Sequence, residues 1–171
     1  MNGRPESSEA DPYYFAYIDM VTGDDAIREL QDQLDKYLPI LSRISEEKSL
    51  HRYAPEKWSI RQLLNHISDT ERAFAFRALC FSRGFDTPLP SYDPDIAAAG
   101  ANADATLWTA HVEEFRRVRL ATLSLFENLP AEAWMRTGIA SGRSFSVRAV
   151  GFLIPGHACH HFEILRGKYL L

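Results

Sequence analysis

The sequence predicts an all-α protein, a four-helix bundle formed by a single domain. Four segments of about twenty residues repeat apolar side chains at three- and four-residue steps, no run alternates long enough for a strand ladder, and a long Pro- and Gly-containing segment parts the second helix from the third. At 1.5 Å per residue such helices are rods of about 30 Å, a length suited to side-by-side packing.

Residues 1–11 are polar, with Gly3 and Pro5, and are expected to form a flexible tail, leaving 12–171 as the domain. Tyr13, Tyr14, Phe15 and Tyr17 are too aromatic to stay solvated and should pack on the domain as an arm. Asp24 and Asp25 place acids at a helix start, and Ile27, Leu30, Leu34, Leu38 and Leu41 carry that helix over about 25–44, with Tyr37 on its exposed face. Ser59 is a plausible N-cap for the second helix, in which Ile60, Leu63, Leu64, Ile67, Phe74 and Ala78 form an apolar face as far as Ser82. The stretch 84–104 contains Pro88, Pro90 and Pro94 and reads as a long crossover without an element of its own. Trp108, Val112, Phe115, Val118, Thr122, Leu125 and Leu129 define a third helix, about 105–128, closed by Pro130. Turn residues at 138–144 leave room for a hairpin or an irregular loop, after which Ser144 or Ser146 caps a last helix running to about Tyr169.

Composition bounds the function. With 171 residues and 46% hydrophobic content, the chain builds a core without a disulfide framework. Cys80 and Cys159 have no CxxC spacing, which argues against a zinc ribbon or a thioredoxin motif. A formal charge of −4 and scattered basic residues exclude nucleic acid as an expected partner. The opening residues lack an apolar leader and no run of about 18 apolar residues occurs, so no membrane is expected and the cytoplasm is the default location.

The histidines are the informative residues. In the last helix the apolar stripe runs Val147, Val150, Ile154, His157, His161, Ile164 and Leu165, so both histidines replace core residues. Buried imidazoles without partners cost about 1–3 kcal/mol each, so the pair needs hydrogen bonds or a shared cation. The i,i+4 spacing is that of the HExxH metal clamp, although no Glu follows His157 to act as the zincin base. Taken alone, the pair reads equally well as satisfied core histidines. His66, on the second helix beside Leu63 and Ile67, is the candidate third ligand, because that face can meet the last helix across the bundle. Three imidazoles with an open position suit Zn²⁺, Ni²⁺ or Fe²⁺. His160 lies about 90° from the stripe and is expected behind the site or at the surface, His111 to pack or cap, and His51 to sit in a polar loop. Neither cysteine is placed as a ligand or nucleophile. Asp69 lies on His66's side of the helix and is the candidate catalytic base; Glu71 reads as a partner for a nearby arginine or as a solvated acid. Arg77, on nearly the azimuth of His66, reads as a surface ion-pairing residue or as the lining of a cavity mouth.

The string Trp58-Ser-Ile-Arg-Gln-Leu-Leu-Asn-His66-Ile-Ser-Asp-Thr-Glu71 resembles the second-helix signature of the DinB/YfiT-like superfamily, and Gly156-His157-Ala-Cys-His160-His161 resembles its last-helix HxxxH. The opening from Tyr13 to Asp25 is similar to openings of the same family, and the resemblance spans about 12–170. It implies up-down-down-up topology with a long crossover between helices 2 and 3, a divalent metal on His66, His157 and His161, and a homodimer. It further implies a metal-dependent enzyme acting on a small molecule: an S-transferase using a low-molecular-weight thiol such as bacillithiol, mycothiol or glutathione, or a hydrolase using a metal-bound water with Asp69 as the nearest base. A non-enzymatic metal or small-ligand binder is the contrasting reading. Pro155, two residues before His157, departs from many members and is expected to kink the helix or to start its straight part.

Overall fold

The computed structural model describes residues 3–170. The aromatic arm is itself a short helix, α1 (Pro12–Ile18), with the Asp11 carboxylate accepting from the Tyr13 amide and Pro12 at the first helical position. Helix α2 (Ala26–Leu41) opens on Asp25, whose carboxylate accepts from Ile27 and Arg28. It stops short of residue 44 because the Ser42 amide and hydroxyl both return to the Leu38 carbonyl. Helix α3 (Ile60–Ser82) begins with a reciprocal cap in which Ser59 Oγ accepts from the Gln62 amide and Gln62 Oε1 from the Ser59 amide.

The crossover corrects one expectation, since it contains helix α4 (Pro94–Ala101). Pro94 is a start signal here: Asp93 accepts from the Asp95 and Ile96 amides, Pro94 occupies the first position, and alanines propagate the helix until Asn102 ends it at φ 49°. Helix α5 (Trp108–Glu127) starts later than 105, after a 3₁₀ turn at Ala103–Ala105. It has no cap of its own, so Glu46, from the loop after α2, accepts from the Trp108 amide at 3.0 and 3.2 Å. Strands β1 (Thr137–Ala140) and β2 (Arg143–Ser146) form a hairpin whose two tip residues, Ser141 and Gly142, have φ 54° and 70°, the hand that matches strand twist. Helix α6 (Val147–Ile164) opens on Ser146 Oγ and ends in a π-helical turn, Leu165–Tyr169.

The four long helices form a square in which α2 and α3 each pack against both α5 and α6. Hydrogen bonds from Trp108 to Leu41 and from Arg119 to Leu30 run α5 antiparallel to α2, whereas Arg61 to Thr106 and Arg119 to Glu71 run it parallel to α3. Gln33 to Pro155 and Tyr37 against Phe162 set α6 parallel to α2. The topology is therefore up-down-down-up, as the resemblance implied, and parallel neighbours α3 and α5 require the long crossover between them. Among the described residues no helix is long and apolar enough to cross a membrane.

Tyr37 and Glu71 lie deeper than expected. Tyr37 shares the stripe of Leu30, Leu34 and Leu41 and is buried, stacked on Phe162 with centroids 3.6 Å apart. Glu71 is buried on Arg119, which is itself 0% exposed; Arg119 Nε and Nη2 donate to the carboxylate at 2.9 Å. Residues 4–10 are held too: the Ser146 amide donates to Glu9 O, and the Glu9 carboxylate accepts from Ser146 Oγ at 2.6 Å and Arg148 Nε at 3.0 Å.

The buried pair makes a stability prediction. Glu71→Leu should destabilise by about 3–5 kcal/mol in urea unfolding, because it strands a desolvated guanidinium, and Glu71→Leu with Arg119→Met should recover much of that loss. A single variant as stable as the parent would mean that water reaches the pair and the bond holds nothing.

Candidate metal centre

His66 projects from the second turn of α3, and His157 and His161 stand one turn apart on α6, the antiparallel neighbour of α3. Helix α6 continues through Pro155, whose carbonyl accepts from Gln33 Nε2 of α2 at 2.8 Å. The next residue is glycine because α1 crosses there: a Cβ on Gly156 would stand 2.6 Å from the carbonyl carbon of Tyr17. That close approach puts the Tyr17 ring 5.7 Å from the His157 ring and 5.3 Å from that of His160.

The Nε2 atoms of His66, His157 and His161 lie 3.1 Å from one another in all three pairs. His66 and His157 are buried and His161 partly so. Trp58 packs on the His66 ring at 4.8 Å and Phe74 on the His157 ring at 6.1 Å. The Thr70 hydroxyl stands 3.5 Å from His66 Nδ1, and His161 Nδ1 is buried without a protein partner among the described residues. Burial pushes His66 down to about 4 and His161 to about 3, and pushes His157 well below its ordinary 6.5. The charge of His160 acts in the same direction on all three, and that of Asp95 opposes it at His66. The imidazoles are therefore neutral near pH 7, the form in which each offers a lone pair. Three nitrogens at this separation match an edge of the coordination shell around a cation with metal–nitrogen bonds of about 2.0–2.1 Å, so the donor set fits a divalent transition metal.

Around this cluster is a cavity of about 310 Å³ lined by the three histidines, Tyr13, Tyr14, Tyr17, Thr70, Phe74, Arg77, Tyr92, Ser141 and Leu153. Asp69 is not among the lining residues: its carboxylate accepts from Arg72 at 2.9 Å, and Arg72 also holds Glu114. The acid whose charge reaches His66 is Asp95, in the first turn of α4. Arg77 is buried and lines the cavity instead of pairing at the surface. His160 stacks edge-on against Tyr17 and His161, behind the cluster. His111 is buried on α5 with Nε2 at 2.9 Å from the Ala103 carbonyl, and His51 is exposed. Cys80 lies in the core and Cys159 beside Tyr37, both as free thiols. The sequence reading missed the tyrosine wall. Tyr13, Tyr14 and Tyr17 were legible as a packing arm, and the signal for more was that they are tyrosines, which keep a polar tip at an apolar surface. Tyr92 and Ser141 carried no such signal.

Comparison with known proteins accords with this geometry. No curated protein matches the chain. Among solved structures it is similar to YfiT from Bacillus subtilis, described as a probable metal-dependent hydrolase with an unusual four-helix bundle topology; identity is 14%, the TM-score is 0.66, and the match covers 96% of this chain and 92% of that one. The family profile described as DinB superfamily matches residues 29–165, a span that holds all three histidines, helices α3, α5 and α6, and α2 from its fourth residue on. The chain belongs to the DinB superfamily.

Proposed function

We propose that this protein is a metal-dependent enzyme in which His66, His157 and His161 hold a divalent transition metal, Zn²⁺, Ni²⁺ or Fe²⁺, facing a cavity that takes a small molecule. The observation that carries the reading is that three convergent imidazole nitrogens open onto a cavity and that no fourth ligand joins them among the described residues. Asp69 is engaged by Arg72 and His111 by the Ala103 carbonyl, so neither completes a structural tetrahedron. When bound, such a cation supplies the positive charge that keeps a thiol or a water ionised near neutral pH.

Thiol-dependent S-transfer is the reading we favour. Both cysteines lie away from the cavity lining, so a thiol nucleophile here comes from outside the chain. Among the described residues no carboxylate bonds to the three imidazoles, and a thiol activated by a cation needs no such base. The aromatic wall of Tyr13, Tyr14, Tyr17 and Phe74 offers apolar surface to the body of an organic electrophile. Hydrolysis is the second reading, and what supports it is the reach of the Asp95 charge to His66. A homodimer belongs to the same proposal; the groove of Phe76, Leu79, Val118 and Leu125 between α3 and α5 offers an apolar face to a second copy.

Protein purified without an affinity tag or chelator should carry about one equivalent of a transition metal by elemental analysis. His66→Ala and His157→Ala should each abolish tight binding and His160→Ala should largely keep it; equal loss in all three would overturn the ligand assignment.

The pH dependence follows from the depressed histidines. Between the unfolded value of 6.5 and folded values of about 4 for His66 and about 3 for His161, the unfolded chain binds more protons, so stability rises with pH. The chelated protein should therefore melt at a constant temperature above about pH 7 and lose stability steadily on acidification below about 6.5. His161→Ala should make that slope shallower, and unchanged slopes between pH 7 and 5 would show that the imidazoles titrate normally.

Transfer and hydrolysis are separated by assaying the metal-loaded protein on a model electrophile with and without bacillithiol, mycothiol or glutathione. Turnover that requires the thiol supports S-transfer, and turnover without it, reduced by Asp95→Asn, moves the reading to hydrolysis.

A further inference from the structure

Among the residues that line the cavity, Arg77 is the one that carries a full positive charge near pH 7. Arg77 is 6% exposed, and its two protein hydrogen bonds, to Ser141 Oγ at 3.0 Å and the Pro90 carbonyl at 3.5 Å, both use Nη2. Among the described residues no carboxylate pairs with it, and its Nε and Nη1 have no protein acceptor. The other buried arginines differ: Arg61 is paired with Glu46 and Arg119 with Glu71. A buried guanidinium without a counter-ion is costly, and an acid brought by a ligand removes that cost.

The placement is as informative as the missing partner. A helical side chain leans toward the N-terminus of its helix, so Arg77 leans from α3 back toward His66. The Phe74 ring lies between, its centroid 5.6 Å from Arg77 Cζ and 6.1 Å from the His157 ring, which puts the guanidinium no more than about 12 Å from that imidazole. Tyr14 also lines the cavity, and Ser141 Oγ accepts from the guanidinium at the hairpin tip, its backbone in a left-handed conformation, φ 54°. Ala73, Phe74, Pro94 and Leu153 give the wall an apolar part beside the tyrosines and Thr70.

We propose that Arg77 is a carboxylate receptor at the far end of the histidine cavity, and that the molecule this cavity takes is a small organic acid with an apolar body. One guanidinium fork with the Ser141 hydroxyl beside it matches one negative charge on two oxygens. A phosphate monoester would need a second cation, and among the lining residues there is no further Lys or Arg. The assignment rests on reading the cavity as a substrate site but not on the metal, so the two fail separately.

The test titrates benzoate, its neutral analogue benzamide, and phenyl phosphate into the protein as purified and after chelation, by calorimetry, with melting temperature and zinc stoichiometry recorded for each variant. Benzoate should bind with and without metal, at least about tenfold tighter than benzamide, and Arg77→Met should erase that preference while zinc stoichiometry stays unchanged. Ser141→Ala, a milder change, should weaken benzoate and leave benzamide alone. Equal binding of benzoate and benzamide, no binding of either, or benzoate binding that disappears on chelation would overturn the assignment, the last by placing the anion on the metal. Phenyl phosphate binding tighter than benzoate would overturn the carboxylate class. Should Arg77→Met fail to fold, the benzoate–benzamide comparison in the parent and Ser141→Ala still decide.

Discussion

The structure depends on one buried guanidinium. Arg119 of α5 donates to Glu71 of α3 through Nε and Nη2, and to the Leu30 carbonyl and Gln33 Oε1 of α2 through Nη1. Gln33 passes the chain on, its amide nitrogen donating to the Pro155 carbonyl of α6. All four long helices are thus tied at one level by groups that cannot be left unpaired in a dry core. Apolar packing alone leaves helices free to slide by a turn, whereas a bond of 2.8 or 2.9 Å between named atoms does not. The level matters because Pro155 is two residues from His157 and Glu71 five from His66. Register set by the polar spine is register set for the histidines.

Topology then decides which histidines meet. In up-down-down-up order α3 and α6 are antiparallel neighbours, so one residue on α3 faces an i,i+4 pair on α6. The geometry needs the crossover that lets α5 run parallel to α3. That segment does more than span the bundle: α4 brings Asp95 within electrostatic reach of His66, and Leu89 bonds to the hairpin that carries Ser141. The bundle supplies the cluster of nitrogens, and the peripheral segments supply nearly everything else a bound molecule would touch.

That division explains what was legible in the sequence. The periodicity of Leu30, Leu34 and Leu41 or of Val150, Ile154 and His157 is a local property, and it gave the four helices and the direction of both α6 histidines. His66 was reachable because its neighbours marked the face that meets α6. Tyr37 was misplaced, although its spacing from Leu34 and Leu41 puts it on their stripe, because a phenol reads as surface when its stacking partner Phe162 lies 125 residues away in sequence. Glu71 and Arg119 stand 48 residues apart on different helices, and a buried ion pair has no local pattern. Asp69 was the nearest acid along the helix, but nearness in sequence does not choose between His66 and Arg72, and the ion pair did. Pro94 was read as a breaker when, with Asp93 before it and alanines after it, it is a helix start.

The same division bears on how such a site changes its substrate. The three imidazoles sit on helices fixed by a polar spine and a close glycine contact, where a change of one ligand disturbs the core. Tyr13, Tyr14 and Tyr17 sit on a two-turn helix held from one side, Tyr92 and Asp95 on a loop and a short helix, and Ser141 at a hairpin tip. Substitutions there cost little stability, because loops and short elements bury less apolar surface than the bundle does. A fold arranged this way keeps one cluster of imidazole nitrogens and varies what is presented to it. Arg77 is the exception, since it belongs to α3 and reaches the cavity from within the bundle. A guanidinium so placed, facing the cavity and with no carboxylate partner among the described residues, is free to meet an acid that enters it. In this chain, therefore, the charge of the bound molecule is written into the bundle itself, while its shape is left to the segments around it.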